Sequence, residues 1–340
     1  MKFSIILINY NTFAVTCDCL RDIYSSNWDW DFEVILVDNA SVECDPEEFK
    51  RLFPLINLIK NSENSGFARG NNLGIKIATG EYLLILNTDT INLRDGVAKC
   101  IQYMDMHKQE KDLAGVGCKI LSLDGSMQRS AFDYRTGLKS VLLSNSIFSF
   151  TASKLGLSKY RKNGYMEAMH EKEHSIQAML GAFMLLRREV VEKVKPFDPD
   201  FFMYCEEIEL CYRIVDNGYR LMYTPDANII HLGGVSSANT NQWEYNNRQN
   251  FLSVLLLIFK QHGYFGVFIF NVLYIVNFMT NIFLMPFRGE GAKINHTHFM
   301  NGTKYSLKYQ KVMLKYFKPS FGSSKFPFKL SIVEEIAKSA

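Results

Sequence analysis

The chain has 340 residues, 47% hydrophobic and 21% charged, a length that allows about two domains and excludes both a stapled miniprotein and a disordered chain. Its net charge is only +3, so no global field favours a nucleic-acid partner. Seven cysteines without a CxxC pair, and an opening MKFSIILINYN that lacks the length and cleavage site of a secretory signal, predict a reducing cytoplasm.

Apolar runs at 3–9, 32–38, 55–60, 82–87 and 113–121 each end in polar residues, and most lead into a helical pattern. Continuous rather than alternating apolarity marks strands buried on both faces. The first 125 residues therefore read as an α/β fold with a mostly parallel sheet flanked by helices. Ligands of such sheets bind at the carboxyl ends of the strands. Residues 126–175 are irregular and read as an active-site insertion or acceptor-side loop. A strand at 181–187, a helix at 206–217 ended by Gly218 and a strand at 228–231 follow.

After Gln242 the character changes. Residues 263–287 carry no charge, and 251–259 are nearly as apolar. From Arg288 onward ten Lys/Arg face three Glu, a net +7, which leaves −4 for the rest. A single span would put that basic tail across the membrane from the first 242 residues. Helices lying in the interface, with the tail on anionic head groups, are the preferred reading, and a buried core or dimer interface is the alternative.

Four polar clusters sit at predicted strand ends. Asn9-Tyr10-Asn11 and Val37-Asp38-Asn39-Ala40-Ser41 read equally as capping turns or as ligand contacts, with Asp38 able to accept the imide N–H of a uracil or thymine. In Asn64-Ser-Gly-Phe-Ala-Arg-Gly-Asn-Asn-Leu-Gly74, glycines before a helix allow close backbone approach to a phosphate-bearing ligand. Asp89, in Leu86-Asn-Thr-Asp-Thr90, is a candidate ligand for Mg2+ or Mn2+ holding a diphosphate.

The order of these clusters resembles the inverting family-two glycosyltransferases of the GT-A fold, in particular their rhamnosyltransferase-like branch. Gly181-Ala-Phe-Met-Leu-Leu-Arg-Arg188, Phe197-Asp-Pro-Asp-Phe-Phe-Met-Tyr-Cys-Glu-Glu207 and Ile230-His-Leu-Gly-Gly-Val-Ser236 continue it, so the likeness covers about residues 3–250. It implies a GT-A domain over 1–242, followed by the helical, membrane-associating region that composition predicts over 243–340. It assigns Asp38 to the base, Asn87 and Asp89 to a DxD-like element, Asp89 and His231 to the metal, and Glu207 to the catalytic base where the family usually has Asp. Asn9, Asn11, Asn39, Gly66, Arg69, Asn72 and Gly181 join the donor site by the same likeness. Gln177 and Glu206 fall on the acceptor side, with Gln177 standing where related sequences often have an acid.

The chemistry agrees, because inverting transfer needs a carboxylate to deprotonate the acceptor hydroxyl and a cation to neutralise the departing diphosphate. Glu206, Glu207 and Glu209 follow an apolar stretch that suits a raised pKa. The resemblance implies transfer of a sugar, with L-rhamnose from dTDP-rhamnose foremost and UDP-hexoses or UDP-N-acetylhexosamines as alternatives. A glycan or lipid-linked oligosaccharide is the acceptor, and a homo-oligomer is left open. The expected location is cytoplasmic, peripheral on the inner face of the plasma membrane.

Two rival readings differ in class. His170-Glu-Lys-Glu-His174 satisfies the HExxH zinc pattern, but it is charged throughout where a zinc-binding helix needs an apolar face. A non-catalytic nucleotide-sugar or membrane scaffold is the other. A sugar nucleotidyltransferase is disfavoured because no glycine-rich basic loop follows the first strand.

Overall fold

A computed structural model of the chain describes residues 1–133, 135, 169–233 and 240–284; the basic tail and most of the 126–175 insertion lie outside them. Residues 1–135 and the described residues of 169–242 cluster as one compact unit, and from Trp243 the described chain belongs to a second.

In the first unit, β1 (Phe3–Asn9), β2 (Phe32–Asp38), β3 (Asn57–Lys60) and β4 (Tyr82–Leu86) are parallel, in the order β3-β2-β1-β4. Ile5, Ile6, Leu7, Val34 to Val37 and Leu83 to Leu84 are fully covered, which explains the unbroken apolar runs. Helices α1 (Phe13–Ser25), α2 (Glu47–Leu52) and α3 (Gly66–Ile77) connect them. On α1 the buried Thr16, Cys19, Leu20 and Ile23 recur at helical spacing. The chain leaves β1 toward β2 and later returns to β4 on its other side, so the ligand crevice opens where the β1, β2 and β4 ends meet.

The sheet then departs from the all-parallel pattern. After β5 (Thr90–Ile91) and α4 (Leu93–Met106), β6 (Leu113–Leu121) runs toward the ligand edge and the chain makes its excursion there, through the short β7 (Met127–Gln128), β8 (Ala131–Phe132), β9 (His174–Ile176) and β10 (Ala178–Met179). It re-enters from that same edge, so β11 (Phe183–Arg187) fits antiparallel between β4 and β6, with Phe183 opposite Leu86 and Leu185 opposite Val116. Among the described residues no helix lies between β6 and β11, and a parallel pairing would need such a crossover. Two helices, α5 (Arg188–Val194) and α6 (Glu206–Asp216), lead to β12 (Arg220–His231), which is parallel to β6.

The sequence reading of 228–231 recovers only the end of β12. Thr224-Pro-Asp-Ala227 looks like a turn, but the register shift between Thr224 and Asn228 makes it a bulge within one continuous strand.

In the second unit, α7 (Thr240–Leu284) is interrupted at Gly263, whose φ of 62° is not helical. The ring of Phe251 lies 5.7 Å from Tyr274 and 6.4 Å from Phe270. On a straight helix those residues would stand about 30 Å apart, so the two arms fold back on each other as a hairpin. Leu255, Ile258, Val267 and Phe270 form its seam.

Candidate functional site

Strand pairing brings three polar side chains together at the carboxyl edge. β12 pairs antiparallel with β5, setting His231 opposite Thr90. Nε2 of His231 then lies 3.1 Å from Asp89 Oδ1 and 3.2 Å from Asn87 Nδ2. The ring's other nitrogen is fixed by Gln128. Its amide donates to the His231 carbonyl at 2.7 Å and to Ser122 Oγ at 3.1 Å, so its Oε1 is left to accept from Nδ1–H at 2.8 Å. A proton on Nδ1 leaves the Nε2 lone pair of the neutral ring to accept from the Asn87 Nδ2–H, with the Asp89 carboxylate beside it.

Among the described residues no three His, Cys, Asp or Glu side chains assemble into a metal-holding group. Two protein ligands still fit Mg2+ or Mn2+, which bind through one or two carboxylates and take their other ligands from phosphate oxygens and water. The Gln128 contact is of the kind that would orient an imidazole toward a metal. Gln128 lies in the irregular stretch, and nothing in its sequence surroundings marks it.

Glu206 and Glu207 open α6. Tyr204 and Cys205 just before them both hold left-handed backbone, with φ of 71° and 67°, a strained turn of about 1–3 kcal/mol per non-glycine residue. Glu206 is buried and Glu207 half-buried, and Oε2 of each is sealed from solvent without a hydrogen-bond partner. Burial pushes the Glu207 carboxyl up to about 7, partly offset by the backbone N–H groups of Glu207 and Ile208. Burial, reinforced by the Glu207 charge, holds Glu206 well above the usual carboxylate range. Glu209 differs. Its two oxygens accept from Arg213 Nε and Nη2, both at 2.7 Å, and that guanidinium also donates to the carbonyls of Val194, Lys195 and Pro196. Of the three acids, Glu207 combines access with a pKa near neutrality.

The glycine- and asparagine-rich start of α3 is engaged by another part of the chain. Gly66, Arg69 and Asn72, three residues apart, share one helix face, and the chain from 197 to 202 climbs it. Asn72 donates to the Phe197 carbonyl at 2.8 Å and accepts its N–H at 3.0 Å. Arg69 Nε donates to Pro199 O at 2.8 Å, and the Phe67 N–H donates to Phe202 O at 2.7 Å. The Gly66 N–H is held by Asn64 Oδ1 at 3.0 Å, so two N–H groups expected to face phosphate are already engaged. Gly66, Arg69 and Asn72 thus hold the segment that leads to Glu207.

A Cβ at Gly66 would lie 2.1 Å from Phe202 O, on a backbone whose φ is +80°. Gly66→Ala is therefore expected to cost about 3 kcal/mol in urea unfolding, from left-handed strain plus overpacking. At Gly181 the same atom meets Glu207 Cβ at 3.5 Å, an ordinary contact, so Gly181→Ala should leave unfolding near wild type and serves as the control.

Asn9 and Asn39 are likewise engaged within the chain. Asn9 is fully buried; its amide donates to Asp38 Oδ1 at 2.7 Å and Ser41 Oγ at 2.9 Å, and its Oδ1 accepts from Thr12 and Thr16. Asn39, 2% exposed, links Asn61, Asn64, Ser65 and Gly66. Neither amide has capacity left for a ligand. Asp38 itself is 1% exposed, held by Asn9 and the Ser41 N–H, with carboxylate lone pairs to spare. Asn11 is exposed, has left-handed backbone and accepts the Val42 N–H at 2.8 Å. Gly181 is buried beside Glu207, next to Ala182, whose carbonyl accepts the Asn87 N–H. Gln177, half-buried, accepts from Arg135 Nε at 3.1 Å, and Arg135 pairs with Asp216.

The model of the family described as glycosyl transferase family 2 matches residues 4–195, more than half of the chain. The chain belongs to that family. This family 2 chain is 30% identical over 176 residues to the rhamnosyltransferase WbbL of Escherichia coli K12, covering 49% of this chain and 60% of WbbL. It is 24% identical over 213 residues to the N-acetylglucosaminyl-diphospho-decaprenol L-rhamnosyltransferase of Mycobacterium tuberculosis H37Rv, covering 58% and 66%. The match thus spans less than two thirds of either relative. Among solved structures, the mannosyltransferase PcManGT of Pyrobaculum calidifontis, in complex with GDP-Man and Mn2+, superposes with a TM-score of 0.55 at 16% identity over 94% of this chain and 88% of that one. That likeness concerns the fold, which is GT-A.

In this family 2 chain the HExxH-like pattern is not a zinc helix. His170 is buried, and its Nε2 accepts the N–H groups of Ser130 at 3.2 Å and Ala131 at 3.3 Å. His174 begins strand β9, opposite Tyr223. No helix carries the two histidines on one face.

Proposed function

We propose that the chain transfers a sugar from a nucleotide-diphosphate donor to a hydroxyl of a glycan or lipid-linked acceptor, with inversion, in cell-surface polysaccharide synthesis. The observation that carries this reading is Glu207, a half-sealed carboxylate with a pKa near 7 beside Gly181, on the sheet edge that also holds Asp89 and His231. As the acceptor oxygen bonds to the anomeric carbon and the bond to the diphosphate breaks, the hydroxyl proton passes to Glu207. A Mg2+ or Mn2+ ion held by Asp89 and His231 would neutralise the leaving diphosphate. Asp38, fixed by Asn9, would accept from the base, and Gln177 and Glu206 would face the acceptor.

L-rhamnose from dTDP-rhamnose is the leading donor, supported by two relatives that are named rhamnosyltransferases. A lipid-linked acceptor is supported by the name of the second. The test is nucleotide release from a panel of dTDP-, UDP- and GDP-sugars with Mn2+, with the product anomer read by NMR. Turnover of dTDP-rhamnose with inversion is expected. Preference for a UDP-hexose would replace the donor, and release from none would leave the scaffold reading.

A further inference from the structure

The second arm of α7 is apolar on two faces but covered on one. Val267 and Phe270 pack into the hairpin seam, whereas Phe265, Phe268, Val272, Val276 and Met279 are between 41% and 75% exposed. Their spacing of three and four residues places them in one stripe. A contiguous exposed apolar stripe marks a partner. The sequence identifies the partner's chemistry: no charged residue occurs from 263 to 287, and the net +7 tail begins at Arg288.

By length and composition the helical stretch Gln249–Val276 could cross a membrane. The fold at Gly263 divides it, however, and returns the chain at residue 284 toward the end where it entered at 240. The hairpin tip also carries exposed Lys260 and His262, which disfavours tip-first insertion. We propose that the second arm lies in the plane of an anionic bilayer surface, its stripe sunk to the acyl boundary, with anionic lipid favoured by the basic sequence that follows it. The described helix is thereby held on the surface rather than across the bilayer.

The test is co-sedimentation of the full chain with extruded vesicles of phosphatidylcholine alone or mixed equally with phosphatidylglycerol. Binding to the anionic vesicles is expected, with release only in part at about 0.5 M NaCl, because salt screens charge and leaves apolar burial intact. The double variant Phe265→Ser, Phe268→Ser should bind about tenfold less or weaker still, with its thermal melt unchanged. Val272→Ser with Met279→Ser should act in the same direction from the same stripe. A wild-type chain that stays in the supernatant with both vesicles overturns the proposal. So does sedimentation velocity showing that these variants abolish only self-association, which would make the stripe an interface between copies.

Discussion

Glu207→Gln should lower turnover by about 10²–10⁴-fold while donor binding stays near wild type, because the amide would keep shape and hydrogen bonding but could not take the acceptor proton. Glu209→Gln is a control of a different kind. Glu209 is engaged by Arg213, so that variant loses stability through the loosened 194–196 carbonyl anchor rather than through the proton step. The pH profile separates the two further. Only ionised Glu207 accepts a proton, so wild-type kcat/KM rises with pH through about 7, and the Gln variant loses that rise.

Stability moves the opposite way. The folded-state pKa of Glu207 is raised above its ordinary value of 4.5, so between about 4.5 and 7 the folded chain keeps a proton that the unfolded chain releases. Stability is then lost as pH rises through that window, and Glu206 adds to the loss with the same sign. Urea unfolding at pH 5 and pH 8 should show a smaller loss in Glu207→Gln than in wild type. If Glu206→Gln is crippled and Glu207→Gln is not, the base is the neighbour; if both turn over normally, the acids only complement the α6 dipole.

The second large effect concerns Asp89. Asp89→Ala should abolish metal-dependent transfer, a loss of about 10³-fold or more, since charge stabilisation at the leaving group contributes several kcal/mol. The fold should persist, because the contact that ties this turn to β12 is the Asp89 carbonyl accepting the Leu232 N–H at 2.8 Å, and alanine retains it. Gln128→Leu should raise the Mn2+ concentration needed for half-maximal activity by about 10–100-fold, since the imidazole is no longer held through Nδ1. Full activity in excess chelator would defeat the metal assignment, and an unchanged Mn2+ requirement in Gln128→Leu would remove its role in orienting His231.

Strand ends were legible in the sequence because each is a local event. An apolar run buried on both faces has to stop where the sheet stops, and 3–9, 32–38 and 113–121 stop at the residues where β1, β2 and β6 end. Asp38 at the end of β2, Asp89 just after β4 and the acidic start of α6 at Glu206 were legible from the same local signals together with the family resemblance. Tertiary structure alone decided what the amides and glycines touch. Asn9, Asn39, Gly66, Arg69 and Asn72 bind other parts of the chain, up to 130 residues away for Arg69, and spacing within a motif does not state the partner of a hydrogen bond. The antiparallel entry of β11 depends on which edge the excursion returns to, and Gln128 meets His231 only through the sheet. The hairpin at Gly263 follows the same rule: composition made 263–287 apolar, but only packing of Phe251 on Tyr274 determined that the helix doubles back and leaves one stripe uncovered.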